Sequence, residues 1–193
     1  MFDVFHKHIE KRISLTEEEF NLCCQFFTSR KVRKNQFLLQ QGEVCKHLAF
    51  VNDGCLREYS VDHKGEVHII QFAISDWWIA DLTSFLSGSP STQYIDALQD
   101  SEVLLLEHKS REKVVESVPK MERFFRLLLE SNYVATVKRI NDSLSESAEE
   151  RYLSFLQMYP SLVEQVPQHD IASYLGITPQ SLSRIRKEIS QKR

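Results

Sequence analysis

Apolar residues recur in this chain with two different periods, and the change falls at Pro119. Between about Arg30 and Glu107 they come in short runs, Phe37–Leu39, Leu48–Val51, Val67–Phe72, Tyr94–Leu98 and Val103–Leu106, separated by turn residues. Runs of that length without a helical period are strands. Gly42, Gly54 and Gly65 stand at the breaks. Asn52-Asp53-Gly54 and Asp62-His63-Lys64-Gly65 both predict hairpin turns in which glycine supplies a positive φ. The segment is expected to form an antiparallel β barrel or sandwich.

From Pro119 the spacing is helical, and no breaker intervenes before the serine-rich stretch Ser143–Ser147, which predicts a helix of roughly seven turns. Met121, Phe124 and Leu128 fall on one line, Phe125 and Leu129 beside it, and Val134, Val137, Ile140 and Leu144 further along. A barrel can cover one of those faces, and the other asks for a second helix, which we read as a dimer seam. The alternative is a helix sandwiched within its own subunit. Upstream, Thr16-Glu17-Glu18-Glu19 is a capping box ahead of Phe20, Cys23, Phe26 and Phe27, so a short helix opens the fold. Downstream, Tyr152, Phe155, Leu156 and Tyr159 mark another helix, ended by Pro160.

The last stretch, from Val166, is the most specific. Counted from Gln168, Ile171 and Leu175 fall at the fourth and eighth positions, Ala172 at the fifth, Gly176 at the ninth, and Leu182 and Ile185 at the fifteenth and eighteenth. Two short helices crossing steeply need a small residue where their backbones meet. They also need a turn residue that tolerates a left-handed conformation, and apolar residues that pin the second helix. This is the spacing of a helix-turn-helix. Thr178 is placed to cap the second helix with Pro179 at its first position. Its exposed face would carry Gln180, Ser181, Ser183, Arg184 and Lys187. Gln reads adenine and Arg reads guanine through paired hydrogen bonds, so Arg184 is the leading candidate for a base contact. Arg186, Lys187, Lys192 and Arg193 suit phosphates. The bland alternative is an ordinary helical hairpin with a solvated polar face.

Charge agrees with a local interface rather than a uniformly basic protein. The net charge is −3, yet from Pro167 onward five basic residues (Arg184, Arg186, Lys187, Lys192, Arg193) face two acidic ones (Asp170, Glu188), giving +3. A composition of 42% hydrophobic and 26% charged residues with 5 Gly and 5 Pro excludes disordered and collagen-like classes. No apolar run reaches membrane-spanning length, and Met1–Lys11 lacks the core of a signal peptide, so the cytoplasm is the expected location. Cys23, Cys24, Cys45 and Cys55 lack C-x-x-C spacing and read as free, inert thiols. His63 and His68, five apart, do not match a cupin metal site, which disfavours an enzyme built on the β domain.

The order of parts resembles the Crp/Fnr family of bacterial regulators over nearly the full length. The carriers are Gln41-Gly42-Glu43, the run Phe50-Val51-Asn52-Asp53-Gly54-Cys55-Leu56-Arg57, and Ile171-Ala172-Ser173-Tyr174-Leu175-Gly176-Ile177-Thr178 with Ser183-Arg184-Ile185. The resemblance implies an α+β chain: a double-stranded β-helix (jelly-roll) sensor domain over 1–118, a dimerisation helix over 119–146 and an all-α helix-turn-helix domain over 147–193. It also implies a homodimer on two-fold symmetric double-stranded DNA, with the recognition helices about 34 Å apart. RNA polymerase and an unidentified small-molecule effector are further candidate partners.

Two departures from the family pattern carry expectations. Cyclic-nucleotide binders have Gly-Glu and, ten residues after the Glu, an Arg followed by Ser or Thr; aligned on Ala97, this chain has Ala80-Asp81 and Ser91-Thr92. Without that cation a cyclic phosphate loses a charge-assisted bond worth about 1.5–3 kcal/mol, so tight cyclic AMP binding is not expected. Phe72, Trp77, Trp78, Asp81, Ser91, Thr92 and Tyr94 remain candidates for an apolar or aromatic effector pocket, with structural packing the alternative for each. No cysteine cluster or haem ligand pattern supports a cofactor. The second departure is at the C-terminus, where only Ser190-Gln191-Lys192-Arg193 follow the recognition helix, so the usual β wing is expected to be truncated or absent. A ligand-sensing module acting through protein partners is the rival to DNA binding.

Overall fold

The computed structural model describes residues 2–191. Two short helices, α1 (Asp3–Glu10) and α2 (Glu17–Cys24), precede eight strands: β1 (Phe27–Val32), β2 (Phe37–Leu39), β3 (His47–Asp53), β4 (Cys55–Val61), β5 (Val67–Ile74), β6 (Trp77–Ile79), β7 (Tyr94–Ala97) and β8 (Ser101–Glu107). A one-and-a-half-turn helix, α3 (Leu82–Ser87), lies between β6 and β7. The strands form two four-stranded antiparallel sheets, ordered β1-β8-β3-β6 and β2-β7-β4-β5, which face one another as a jelly roll. After the roll come α4 (His108–Ser117), the long α5 (Lys120–Ser145), α6 (Ala148–Met158), the single turn α7 (Leu162–Gln165), α8 (Gln168–Tyr174) and α9 (Pro179–Gln191).

The expected turn at Asp62–Gly65 does join a hairpin. Asp62 Oδ1 accepts from the Lys64 and Glu66 amides at 2.8 and 3.0 Å, and Gly65 takes φ +82°. The turn at Asn52–Gly54 does not. β3 pairs with β6 and β8 whereas β4 pairs with β5 and β7, so this corner carries the chain from one sheet to the other. Gly54 is required there for two reasons: φ is +104°, and a Cβ would come within 2.2 Å of Ser101 Oγ.

The Thr16 capping box is present in full, but its helix ends at Cys24. Phe27, expected in that helix, starts β1 opposite Leu106, because a buried strand position covers its ring on both sides. α1 adds a lid to the roll. Its i, i+3, i+4 residues Phe5, His8 and Ile9 are buried, and Phe5 packs against Phe27 and Phe50 at ring centroid separations of 4.7 and 5.1 Å.

Alternation along β4 decides what touches what. Leu56 joins the core inside the roll, together with Phe50, Phe85, Leu104 and Leu106. Cys55 and Tyr59 point the other way, into a second core shared with Tyr152, Phe155, Ile171, Leu182 and Ile185 of the C-terminal helices. The start of α5 closes the first core through Met121, Phe124 and Phe125. Further along the same helix, Tyr133, Val134, Ile140 and Leu144 are more than half exposed.

Candidate nucleic-acid interface and sensor cavity

The two helices α8 and α9 meet as the spacing requires. Ala172 and Ile171 are fully buried, Leu182 and Ile185 nearly so, and Gly176 sits in the left-handed region at φ +65°. Thr178 Oγ1 accepts the Ser181 amide at 3.1 Å and donates to Ser181 Oγ, capping α9. With Leu182 and Ile185 turned inward, Gln180, Ser183, Arg184, Arg186 and Lys187 are left exposed. Gln180, Ser183, Arg184 and Lys187 border one shallow surface hollow together with Pro179. No side chain of the described residues pairs with Arg184, Arg186 or Lys187, so these donors remain open to an external acceptor. Lys192 and Arg193 lie outside the described residues.

The helix-turn-helix is docked on the roll through α8. Sheet β2-β7-β4-β5 ends at β5, whose free edge is capped by one hydroxyl: Ser173 Oγ donates to Val67 O at 2.8 Å and accepts from the Ile69 amide at 3.0 Å. Beside it Phe72 packs on Tyr174 with centroids 5.3 Å apart. The third element is an ion-pair clamp. Arg57 on β4 grips Asp96 of β7 with Nε and Nη2 at 2.8 and 3.1 Å and presents Nη1 to both oxygens of Asp170 in the first turn of α8, at 3.0 and 2.8 Å. Its guanidinium lies 4.8 Å from the Tyr59 ring centroid. Burial works against its charge, but the two carboxylates outweigh that and hold the guanidinium protonated.

The candidate pocket residues divide. Phe72, Trp77, Trp78 and Asp81 border a half-open cavity of about 480 Å³ between the roll, α5 and the C-terminal helices, the last through Tyr159, Leu162 and Tyr174. Ser91, Thr92 and Tyr94 do not line it. Tyr94 stacks on Tyr59 and donates to Gln41, and Thr92 is exposed. Asp81 and Ser91, at positions where cyclic-nucleotide binders bear Glu and Arg, are occupied with each other: Ser91 Oγ donates to Asp81 Oδ2 at 2.7 Å, while Asp81 Oδ1 accepts the Ser84 amide at 3.0 Å and caps α3. Trp78 is held by His8, whose Nε2 accepts from the indole Nε1 while Nδ1 lies 2.7 Å from Asp76. Two groups that sequence reasoning did not single out also face the cavity, Glu58 and Gln93.

The four thiols are unpaired, and burial raises them all, Cys23 and Cys55 to about 12 and Cys24 and Cys45 to about 11, so none is a thiolate at neutral pH. Among the described residues, Asp62, Glu66 and His68 form a group of potential metal ligands on the β4–β5 hairpin, with His63 outside it. Glu66 and His68 are exposed, and His68 already pairs with Asp62 at 3.1 Å. No helix of the described residues is long and apolar enough to cross a membrane.

Residues 29–117 match the cyclic nucleotide-binding domain family. Over 186 residues the chain is 23% identical to the fumarate and nitrate reduction regulatory protein of Vibrio cholerae serotype O1, covering 89% of this chain and 73% of that protein. Among solved structures, FixK2 from Bradyrhizobium japonicum superposes with a TM-score of 0.73 at 20% identity, covering 86% of this chain and 85% of that one. The Thermus thermophilus catabolite activator protein covers 98% of this chain and 87% of its own, with a TM-score of 0.57 at 18% identity. Residues 29–117 thus carry a cyclic nucleotide-binding domain, and with the long helix and the helix-turn-helix that follow, the chain has the fold of these regulators and is similar to them along most of its length.

Proposed function

We propose that the chain is a sequence-specific DNA-binding regulator that acts as a homodimer on a two-fold symmetric site. The observation that carries this reading is the outward face of α9, where Gln180, Ser183, Arg184 and Lys187 share one surface hollow on a helix whose opposite face is buried. Thr178 and Ser181 fix the start of the helix and can reach phosphates, as can Arg186. Arg184→Ala is expected to weaken binding to a selected operator by about 10- to 100-fold, with binding to random DNA much less affected, as loss of one bidentate base contact of about 1–3 kcal/mol requires. Fluorescence anisotropy on both DNAs checks this. If selection from a random library yields no preferred sequence, the protein-partner reading takes its place.

The dimer is supported by α5. Tyr133, Val137, Ile140 and Leu144 follow a 4-3-4 spacing, and Leu144 is 81% and Tyr133 71% exposed, so the described residues leave much of this seam uncovered. Sedimentation is expected to find a dimer at micromolar concentration, and Ile140→Asp with Leu144→Asp is expected to convert it to a folded monomer that has lost at least tenfold in operator affinity. An unchanged sedimentation coefficient would refute the seam.

The cavity is proposed as the effector site, with tight cyclic AMP binding disfavoured. Ser91 stands where cyclic-nucleotide binders bear Arg, and it is already satisfied by Asp81. Because Tyr159, Leu162 and Tyr174 form part of its wall, an occupant would touch both the roll and the helices that hold α9.

A further inference from the structure

The cavity contains one acidic group that nothing in the fold accounts for. Period-two alternation in β4 puts Glu58 on the same side as Leu56, inside the roll, and it is only 3% exposed. Its carboxyl has no hydrogen-bond or ion-pair partner among the described residues. Three arginines border the cavity, but none pairs with it: Arg12 is bonded to His8 and Arg139 stacks on Tyr174 with its guanidinium carbon 4.9 Å from the ring centroid, while Arg111 has no carboxylate partner among the described residues. The other two carboxylates on the wall are engaged elsewhere, Asp76 with His8 and Lys11 and Asp81 through both oxygens with Ser84 and Ser91, and the charge of Asp81 disfavours ionisation of Glu58 rather than relieving it.

Buried acceptors are almost always satisfied, because leaving one dry costs as much as losing a hydrogen bond. Glu58 has no donor among the described residues, so it specifies a guest that brings one. An ammonium offers three N–H donors and the positive charge against which Glu58 can give up its proton and ionise, a charge that none of the bordering guanidiniums supplies by pairing with it. The rest of the wall, including Trp77, Trp78, Phe72 and Leu128, suits an apolar or aromatic body and can lend a ring face to a cation.

We infer that this cavity binds a small organic cation, a primary amine on an apolar or aromatic body, with Glu58 as its carboxylate. The inference deepens the effector-site reading above, but its test reads binding directly and leaves DNA recognition untouched. The probes are 2-phenylethylamine and tryptamine, with the uncharged 2-phenylethanol, the anionic 3-phenylpropanoate and cyclic AMP as comparators. Ligand-observed NMR on the full chain gives occupancy, and Trp77 and Trp78 report it by fluorescence. At least one amine is expected to bind with a submillimolar Kd and at least tenfold more tightly than the alcohol or the acid. Glu58→Gln, which keeps the shape of the wall, is expected to remove that advantage. Circular dichroism and melting confirm that the variant is folded. Failure of both amines to bind at millimolar concentration, equal or tighter binding of 3-phenylpropanoate or cyclic AMP, or an amine affinity indifferent to Glu58→Gln would each overturn the proposal.

Discussion

Replacing Arg57 by alanine is expected to destabilise the protein by about 3–5 kcal/mol, the range found when one partner of a buried ion pair is removed and the other left without compensation. The side chain of Asp170 is 1% exposed and that of Asp96 8%, and Arg57 supplies the cation to both. Asp96 would keep only the Tyr59 hydroxyl at 3.3 Å, and Asp170 the ring of His169, 3.4 Å away and largely in water. The clamp also joins two structural units, so the loss should be visible in cooperativity. Cys55, Tyr59, Ile69 and Phe72 of the roll share a core with the C-terminal helices, which favours a single urea transition for the natural chain. Arg57→Ala should lower the midpoint and split or broaden that transition as the helix-turn-helix loses its anchor. The double variant Arg57→Met, Asp170→Leu should recover most of the loss, because it leaves no charge buried alone. If Arg57→Ala melts within 1 kcal/mol of the natural chain, the clamp contributes specificity of docking and little stability.

How much could be read from residues alone depended on how local the deciding constraint was. The helix-turn-helix was legible to the residue, since Ala172, Gly176, Leu182 and Ile185 act within two adjacent helices and each has a steric reason. The hairpin at Asp62–Gly65 was legible for the same reason, its turn being closed by its own side chain. Asn52-Asp53-Gly54 carries equally good turn chemistry but makes a corner between sheets. Turn residues dictate φ, whereas the strand that pairs next is chosen by contacts far away, here with Ser101. Phe26 and Phe27 were drawn into the preceding helix because aromatic residues fit either period, and the pairing of Phe27 with Leu106 is not a local property. Asp81 shows the reverse error. Its position in the family pattern suggests a ligand contact, yet three residues on lies Ser84, and the Asp81–Ser84 bond is an ordinary N-cap. Glu58 and Arg57 were hidden because β4, with Cys55-Leu56-Arg57-Glu58-Tyr59, has no long apolar run. Only the alternation, once the sheet is known, sends one charge into the roll and its neighbour toward α8.

Glu58→Gln is expected to stabilise the protein by about 3 kcal/mol at pH 7 and not at all near pH 4, which is the signature of a group whose proton is retained by folding. Burial, and after it the charge of Asp81, raises the Glu58 carboxyl from 4.5 to about 8. A raised folded-state value means that its contribution is fully present below pH 4.5 and is lost as pH climbs through 8, because the unfolded chain releases a proton that the folded chain holds. At pH 7 the gap above 4.5, at ~1.4 kcal/mol per pH unit, gives the expected figure, and glutamine removes it by having no proton to lose. The basic groups that border the same cavity are Arg12, Arg111, Arg139 and His8. His8 works in the opposite direction: burial lowers it, so its contribution is present above 6.5 and lost as pH falls. That slope is common to both proteins and cancels when the Glu58→Gln curve is subtracted from that of the natural chain. Urea denaturation from pH 4 to 8.5 should therefore give a difference that is flat in acid and grows steadily from about pH 5. A difference independent of pH would mean that Glu58 is ionised in the fold and already neutralised. A bound amine should shrink the difference at pH 8 by supplying the missing cation, and should do so only in the protein that retains the carboxyl.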